Sequence, residues 1–298
     1  MRAPVVGKPP ELEDVLNARL FHPLAKRLAL ALRATPVTPN MVSVAGVFVV
    51  AGAAIAYTSL AWPLGLLIGF TLHMLWHVVD GADGDLARLT GRASPLGELV
   101  DGMCDYAGHA ILYVALAALL DDTLGWWAWP LATLAAVSRA AQSNHAESQR
   151  RTYLWRAYGV PWLQQTRPRD HDLSHRPGLG SRIMSGAAGA YLALANALSP
   201  SSKIVDGAVA RAAGDLVARR RLKRMCKAAS RHALFLQLIL GANYRTLLLG
   251  LSMAAGSPLW FFLAESVAFN LLLLLSIRAQ KRANARLAAR LEDAERLA

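Results

Sequence analysis

Apolar stretches long enough to approach a bilayer span alternate with arginine-rich connectors along this sequence. Hydrophobic residues make up 54% of the 298 positions, although the formal net charge is +12. A soluble basic domain does not combine these two properties, because its charge and its apolar residues are not segregated into separate segments. The pattern therefore predicts a membrane protein whose connectors, rather than its spans, hold the positive charge.

Six stretches are long and apolar enough to be proposed as transmembrane helices. They lie near residues 41–60, 63–85, 98–120, 126–147, 231–254 and 258–278. The connectors between consecutive spans are short, so several helices should continue past the apolar core at their cytoplasmic ends. The sequence thus predicts an all-α membrane protein with six transmembrane helices.

The distribution of basic residues predicts the orientation of these spans. The connectors at 59–63, 121–128 and 254–259 contain no Lys or Arg, whereas both termini and the other connectors contain many. The positive-inside rule then places both termini in the cytoplasm. Tryptophans fall at the predicted outer ends of the spans, as an aromatic belt requires. The expected location is the bacterial inner membrane, crossed several times.

Two further segments complete the predicted organisation. Residues 15–33 place leucines and Phe21 at helical spacing with basic residues off that stripe, which suits an amphipathic helix in the membrane interface; a soluble helix packed on the cytoplasmic side is the alternative. Residues 160–230 are interpreted as a cytoplasmic helical insertion between the fourth and fifth spans, with a short helix near 183–198. The predicted divisions are 1–40, 41–159 with a motif at 80–105, 160–230 and 231–298.

Four aspartates cluster where the second and third predicted spans meet the cytoplasm: Asp80, Asp83, Asp101 and Asp105. Spacings of three and four put each pair on one face of its own helix, and a tight turn joins the two helices. If the helices run antiparallel, the pairs face each other and would repel strongly unless cations neutralised them. Carboxylate oxygens without His or Cys favour Mg²⁺ or Mn²⁺ over Zn²⁺.

Small residues and one arginine accompany the aspartates. Gly84, Ala87 and Gly97 permit close helix packing, and they equally leave room for a flat ligand beside the backbone. Arg88 suits a phosphate, although capping its helix and contacting lipid headgroups is the alternative. His73 and His77 precede Asp80 on the same helix, where hydrogen-bonded packing competes with a role as metal ligands.

The complete string resembles the motif D-x2-D-G-x2-A-R-x8-G-x3-D-x3-D of the CDP-alcohol phosphotransferases, the class I CDP-alcohol phosphatidyltransferase family, at all eight fixed positions. The resemblance implies two metal ions, one held by Asp80, Asp83 and Asp101 and the other by Asp80, Asp101 and Asp105. It also implies that Asp105 accepts the proton of the attacking alcohol, and that members form homodimers. The residues that it assigns to the CDP-linked donor are Pro39, Asn40, Gly84, Ala87, Arg88, Ser94 and Gly97.

Polar residues elsewhere in the predicted spans carry two further expectations. Asn144, His145, Arg150 and Arg151 crowd the cytoplasmic end of the fourth span, where a polar or phosphorylated acceptor alcohol would need hydrogen-bond donors. An ordinary interface with arginines reaching into water is the alternative. Arg245 and Glu265 lie at equal depth in the last two spans, which predicts a structural ion pair.

The function expected from these features is that of an enzyme of phospholipid biosynthesis. With Mg²⁺ or Mn²⁺, it would transfer a phosphatidyl or phospho-alcohol group from a CDP-activated donor to a hydroxyl acceptor and release CMP. Its partners would be the CDP-linked donor, an alcohol or lipid acceptor and membrane lipids, without nucleic acid. The alternatives are a membrane transporter whose acids bind a cation and a family member that has lost activity.

Overall fold

The computed structural model describes residues 9–160 and 202–296, together with five single positions between these ranges, 186, 189, 193, 197 and 198. Within the described residues every regular element is a helix, so the predicted all-α class is confirmed. The chain divides into two compact units. We call residues 13–139 with 242–268 the aspartate unit, and residues 1–12, 140–241 and 269–298 the basic unit.

Helices of the aspartate unit account for most of the predicted spans. Its elements are α1 (His22–Leu32), α2 (Pro39–Ser59), α3 (Leu64–Leu89), α4 (Pro95–Leu124), the first part of α5 (Ala128–Tyr158), α8 (Ala242–Ala254) and α9 (Leu259–Leu263). The basic unit contains the remainder of α5, then α6 (Lys203–Arg211), α7 (Leu216–Ile239) and α10 (Phe269–Arg296).

Local sequence explains where the helices that carry the aspartate motif begin and end. Thr38 caps α2 by accepting a hydrogen bond from the Met41 amide at 3.3 Å, and Ser94 caps α4 by accepting one from the Gly97 amide at 3.0 Å. In each case a proline follows at the first helical position, where its missing N–H costs nothing. Gly125 ends α4 with a φ of 60°, a conformation that favours glycine.

Close packing of α2 against α3 and α4 holds the aspartate unit together. A Cβ added to Gly108 of α4 would lie 3.4 Å from the Val50 Cβ of α2, and one added to Gly69 of α3 would lie 2.7 Å from the Tyr57 ring. A Cβ at Gly69 would overlap the Tyr57 ring, whereas one at Gly108 would just reach van der Waals contact with Val50. Because α2 touches both of its neighbours so closely, it fixes the relative positions of the two helices that carry the aspartates.

Five helical runs are long and apolar enough to cross a membrane, which indicates an integral membrane protein. They are Pro39–Ser59, Leu64–Leu89, Leu96–Tyr158, Leu216–Ala254 and Leu259–Asp293. The third run spans 63 residues and contains the turn Gly125–Trp127 between α4 and α5. Large apolar side chains such as Phe48, 71% exposed, face outward from these runs. The count of six crossings stays a prediction, as does their orientation.

The structure describes the N-terminal helix throughout and the predicted insertion in part. A helix does follow the π-helical turn Asn17–Phe21, and α1 packs on α3 through buried Ala25 and Ala29; its place in the membrane interface stays a prediction. In the region 160–230, the described part is helical, and α7 continues through residue 230 without a break. The predicted helix near 183–198 lies outside the described residues except at single positions.

Within the basic unit, a hydrogen-bonded glutamate ties the N-terminal turn Pro10–Leu12 to helices α5 and α7. Glu11 Oε1 accepts hydrogen bonds from the hydroxyls of Tyr153 and Tyr158, both at 2.7 Å, and pairs with Lys227 Nζ at 2.9 Å. Burial by itself would raise the pKa of Glu11. The hydrogen bonds from Lys227 and the two tyrosines outweigh burial and lower that pKa from 4.5 to about 2.

This lowered pKa predicts an acid-sensitive attachment of the turn. A carboxyl whose pKa is lower in the folded state stabilises that state at pH values above 4.5, and the contribution disappears as the pH falls towards 2. We expect Glu11→Gln to lower the thermal unfolding temperature in detergent at pH 7, and this difference to shrink at pH 3. The exposed Glu292→Gln is the matched control. An equal difference between Glu11→Gln and the unaltered protein at both pH values would contradict the prediction.

Candidate active site

Three of the four aspartates converge on one point between α3 and α4. Carboxyl oxygens of Asp80, Asp101 and Asp105 all lie within 4.8 Å of one another, and all three side chains are half-buried. The Asp80 and Asp105 carboxyls are also in hydrogen-bonding contact, so the convergence joins the two helices directly. The aspartates of α3 and α4 therefore face each other, as expected for two antiparallel helices.

Asp83 lies deeper than the other three and is held by its neighbours. It is 5% exposed, makes a hydrogen-bonding contact with Asp101, and accepts a hydrogen bond of 2.5 Å from the Ser43 hydroxyl of α2. Ser43 was not among the residues expected from the sequence. Its only signal is that it follows Asn40 by three positions and so shares a side of α2 with it.

The chemistry of this group of oxygens fits a divalent metal ion. Two pairs of carboxyls in hydrogen-bonding contact cannot all be ionised, with three of them half-buried and Asp83 buried, unless protons or cations offset their repulsion. Opposite oxygen ligands of Mg²⁺ are about 4 Å apart, close to the spread of the converging oxygens. The set offers only hard oxygen ligands, which suits Mg²⁺ or Mn²⁺. In the described residues the group of possible ligands contains no histidine.

Residues expected to hold a CDP-linked donor gather at the starts of α2 and α4. A Cβ added to Gly97 would lie 3.3 Å from the Ser94 hydroxyl and 3.8 Å from the Asn40 side-chain oxygen. Pro39 is the first residue of α2 and precedes Asn40. The structure thus brings together four of the residues that the motif resemblance assigned to the donor, although they are far apart in sequence.

The other donor candidates lie near the end of α3. A Cβ added to Gly84 would lie 3.4 Å from Nη1 of Arg88, so the guanidinium lies across a glycine rather than across a side chain. Arg88 Nη2 donates a hydrogen bond of 2.6 Å to Asp85 and its side chain is 59% exposed. Asp85 had no expected role, and it orients the arginine while leaving the remaining donors open to a phosphate. Ala87 is half-buried beside them.

The buried histidines of the aspartate unit act as hydrogen-bonded packing residues. The Nε2 atoms of His73 and His77 lie 3.3 and 2.9 Å from the Thr246 hydroxyl. His109 Nδ1 donates to the Asp105 carbonyl oxygen at 2.8 Å, and its ring packs edge-on against Trp76. The packing interpretation of His73 and His77 therefore fits their contacts better than a role as metal ligands.

The acceptor candidates belong to the basic unit, where each has polar contacts of its own. His145 is fully buried and bonds the Leu198 carbonyl and the Ser276 hydroxyl, both at 3.0 Å. Asn144 is 2% exposed. Arg150 and Arg151 are bound to a shared carboxylate, that of Glu147, at 2.6 and 2.5 Å. Binding of the acceptor by these residues stays a prediction.

The ion pair predicted between the last two spans is present. Arg245 and Glu265 contact each other directly and are 1% and 0% exposed. Arg139 Nη1 lies 4.0 Å from the same glutamate, so two arginines share one buried carboxylate. The sequence predicted the pair because Arg245 and Glu265 lie equally deep in the last two predicted spans, but it gave no reason to expect Arg139 beside them.

Comparison with known protein families finds a match over the segment that carries this site. The family model described as CDP-alcohol phosphatidyltransferase matches residues 36–155. The matched segment contains the four aspartates, every donor candidate and Ser43. A search of curated proteins gave no match.

Proposed function

We propose a function on the premise that residues 36–155 carry the domain of the CDP-alcohol phosphatidyltransferase family. Members of this family transfer phosphatidyl groups in phospholipid synthesis. This chain would move a phosphatidyl or phospho-alcohol group from a CDP-activated donor to a hydroxyl acceptor. CMP is the other product. The observation that carries the proposal is the convergence of the Asp80, Asp101 and Asp105 carboxyl oxygens within 4.8 Å. The site is proposed to face the cytoplasm in a multi-pass protein that works as a homodimer.

Two divalent metal ions, Mg²⁺ or Mn²⁺, are proposed for the aspartates. Asp80, Asp83 and Asp101 would hold one ion, and Asp80, Asp101 and Asp105 the other. When bound, the ions supply positive charge that neutralises the donor diphosphate. The bond from Ser43 keeps the most buried of these carboxylates fixed in position.

Donor binding is assigned to the residues around the aspartates. Arg88, positioned by Asp85, would pair with the diphosphate of the donor. Because Gly84 has no side chain, the Arg88 guanidinium can lie over α3 at this position; a larger residue would occupy that space. Asn40 and Ser94 meet beside Gly97 and would offer polar groups to the nucleotide, with Pro39 and Ala87 lining the same site.

The transfer itself is a displacement at phosphorus. The acceptor oxygen forms a bond to the phosphorus that bears the transferred group, and the bond from that phosphorus to the bridging oxygen breaks. CMP leaves with the bridging oxygen. Asp105 would accept the proton of the attacking hydroxyl, the role that the resemblance to the family motif implies for its last aspartate.

An assay with defined substrates tests the proposal. Purified protein with Mg²⁺ and CDP-diacylglycerol should release CMP when one of a panel of alcohols, such as glycerol phosphate, inositol phosphate or serine, is added. Mass spectrometry would identify the lipid product, and a second panel would pair CDP-linked small alcohols with lipid acceptors. EDTA should abolish CMP release, because the aspartates repel one another without cations.

The matched control for the assay is Asp122→Asn, an exposed carboxylate on the same helix as Asp101 and Asp105, which should keep full activity. If no donor and acceptor pair yields CMP, and vesicles that contain the protein instead show metal-dependent cation flux without any CDP donor, the transferase proposal is wrong. The cation transporter is then the better description.

A further inference from the structure

A cavity of about 420 Å³ lies between α7 and α10, entirely within the basic unit. Four of the side chains around it are basic, namely His232, Arg278, Arg282 and Arg286. Its remaining walls are alanine and leucine. None of these residues lies in the segment that matches the family, so the aspartate chemistry leaves this cavity without a role.

The three arginines concentrate positive charge on one side of the cavity. They follow one another at intervals of four, which places them along one face of α10. Like charges at this spacing destabilise a helix unless something offsets them. Within the part of the chain that the structure describes, no carboxylate forms an ion pair with any of the three. In sequence, α10 has no acidic residue before Glu292, and α7 has none.

The floor of the cavity is apolar and continues towards the hydrophobic parts of both helices. Ala233 and Ala283 are buried at its base, whereas Leu275 is 51% exposed at its edge. Leu236 in the apolar half of α7 and Leu275 in the apolar half of α10 both line the cavity, as do the arginines further along α10. The lining of the cavity therefore changes from leucine to arginine along α10.

We propose that this cavity binds an anionic phospholipid of the surrounding membrane. The acyl chain would lie along Leu236 and Leu275, and the phosphate would lie among Arg278, Arg282 and Arg286. Charge complementarity supports a negatively charged headgroup, since basic groups beside a membrane span attract anionic lipids. A zwitterionic lipid would bring a cation towards three arginines, and a soluble phosphate would leave the leucines in water.

Binding of short-chain lipids tests this proposal. Purified full-length protein in a neutral detergent would be titrated with dioctanoyl phosphatidylglycerol in equilibrium dialysis. EDTA would be present to keep divalent metal ions away from the aspartates. Binding should be saturable, and dioctanoyl phosphatidylcholine should bind at least about tenfold more weakly. Replacing all three arginines together, as Arg278→Gln, Arg282→Gln and Arg286→Gln, should weaken the anionic lipid by about tenfold or more.

A second triple variant keeps the test specific. Arg220→Gln, Arg221→Gln and Arg224→Gln remove the same charge from exposed positions of α7 outside the cavity, and should leave binding within about twofold of the unaltered protein. An equal loss in the two triple variants overturns the proposal, because charge alone then attracts the lipid. Equal binding of the two lipids, or full competition by inorganic phosphate, overturns it as well. Native size-exclusion profiles establish that both variants are folded.

Discussion

Replacing Asp105 by Asn should lower the rate of CMP release about a thousandfold, within the range that a positioned general base contributes. Asn is nearly the same size as Asp, so the packing between α3 and α4 should survive. It cannot accept the proton of the attacking hydroxyl, and it removes a negative charge from the group that Asp105 forms with Asp80 and Asp101. The measurement is CMP release by purified protein at matched protein levels, with the donor and acceptor identified in the substrate panels.

Varying the metal concentration separates the two roles of Asp105. If the residue only holds a metal ion, excess Mg²⁺ should restore the rate of Asp105→Asn; if it is the base, the rate stays low at saturating Mg²⁺. Asp122→Asn on the same helix should remain fully active. CMP release by Asp105→Asn at the rate of the unaltered protein would show that the assigned mechanism is wrong.

The second large effect concerns stability. We expect Glu265→Ala to lower the free energy of unfolding by about 3–5 kcal/mol, because it leaves a buried arginine without its partner. Arg245 is 1% exposed, and Arg139 shares the same carboxylate, so the substitution also removes the contact that offsets their mutual repulsion. Unfolding by SDS in mixed micelles, followed by tryptophan fluorescence, measures the change.

A double variant distinguishes a structural ion pair from a catalytic one. Arg245→Met combined with Glu265→Leu replaces both charges by apolar groups of similar size, and it should be more stable than Glu265→Ala alone. It should also keep most of the CMP release, because neither residue belongs to the group of converging carboxylates. A double variant that is folded but inactive would assign the pair to catalysis. Unchanged stability of Glu265→Ala would contradict the structural role.

Local rules were sufficient to predict most of the helical fold. Hydropathy and length placed spans close to α2, α3, α4 and α5, and Pro39 and Pro95 mark helix starts as their missing N–H leads one to expect. The continuation of α7 through the predicted boundary at residue 230 had no such signal. The sequence of α7 changes from basic to apolar residues near this boundary. Such a change does not end a helix, because Arg, Lys and Leu all have high helix propensity.

By itself the sequence determined that Asp80 and Asp83 share one face of their helix and that Asp101 and Asp105 share one face of theirs, because spacings of three and four fix the side of a helix on which a residue lies. Only the tertiary structure decided that Ser43 holds Asp83, that Asp85 orients Arg88, and that Arg139 joins Arg245 and Glu265. Apart from Asp85 and Arg88, these contacts join different helices, and their formation depends on how closely the helices pack. Periodicity along one helix carries no information about that distance.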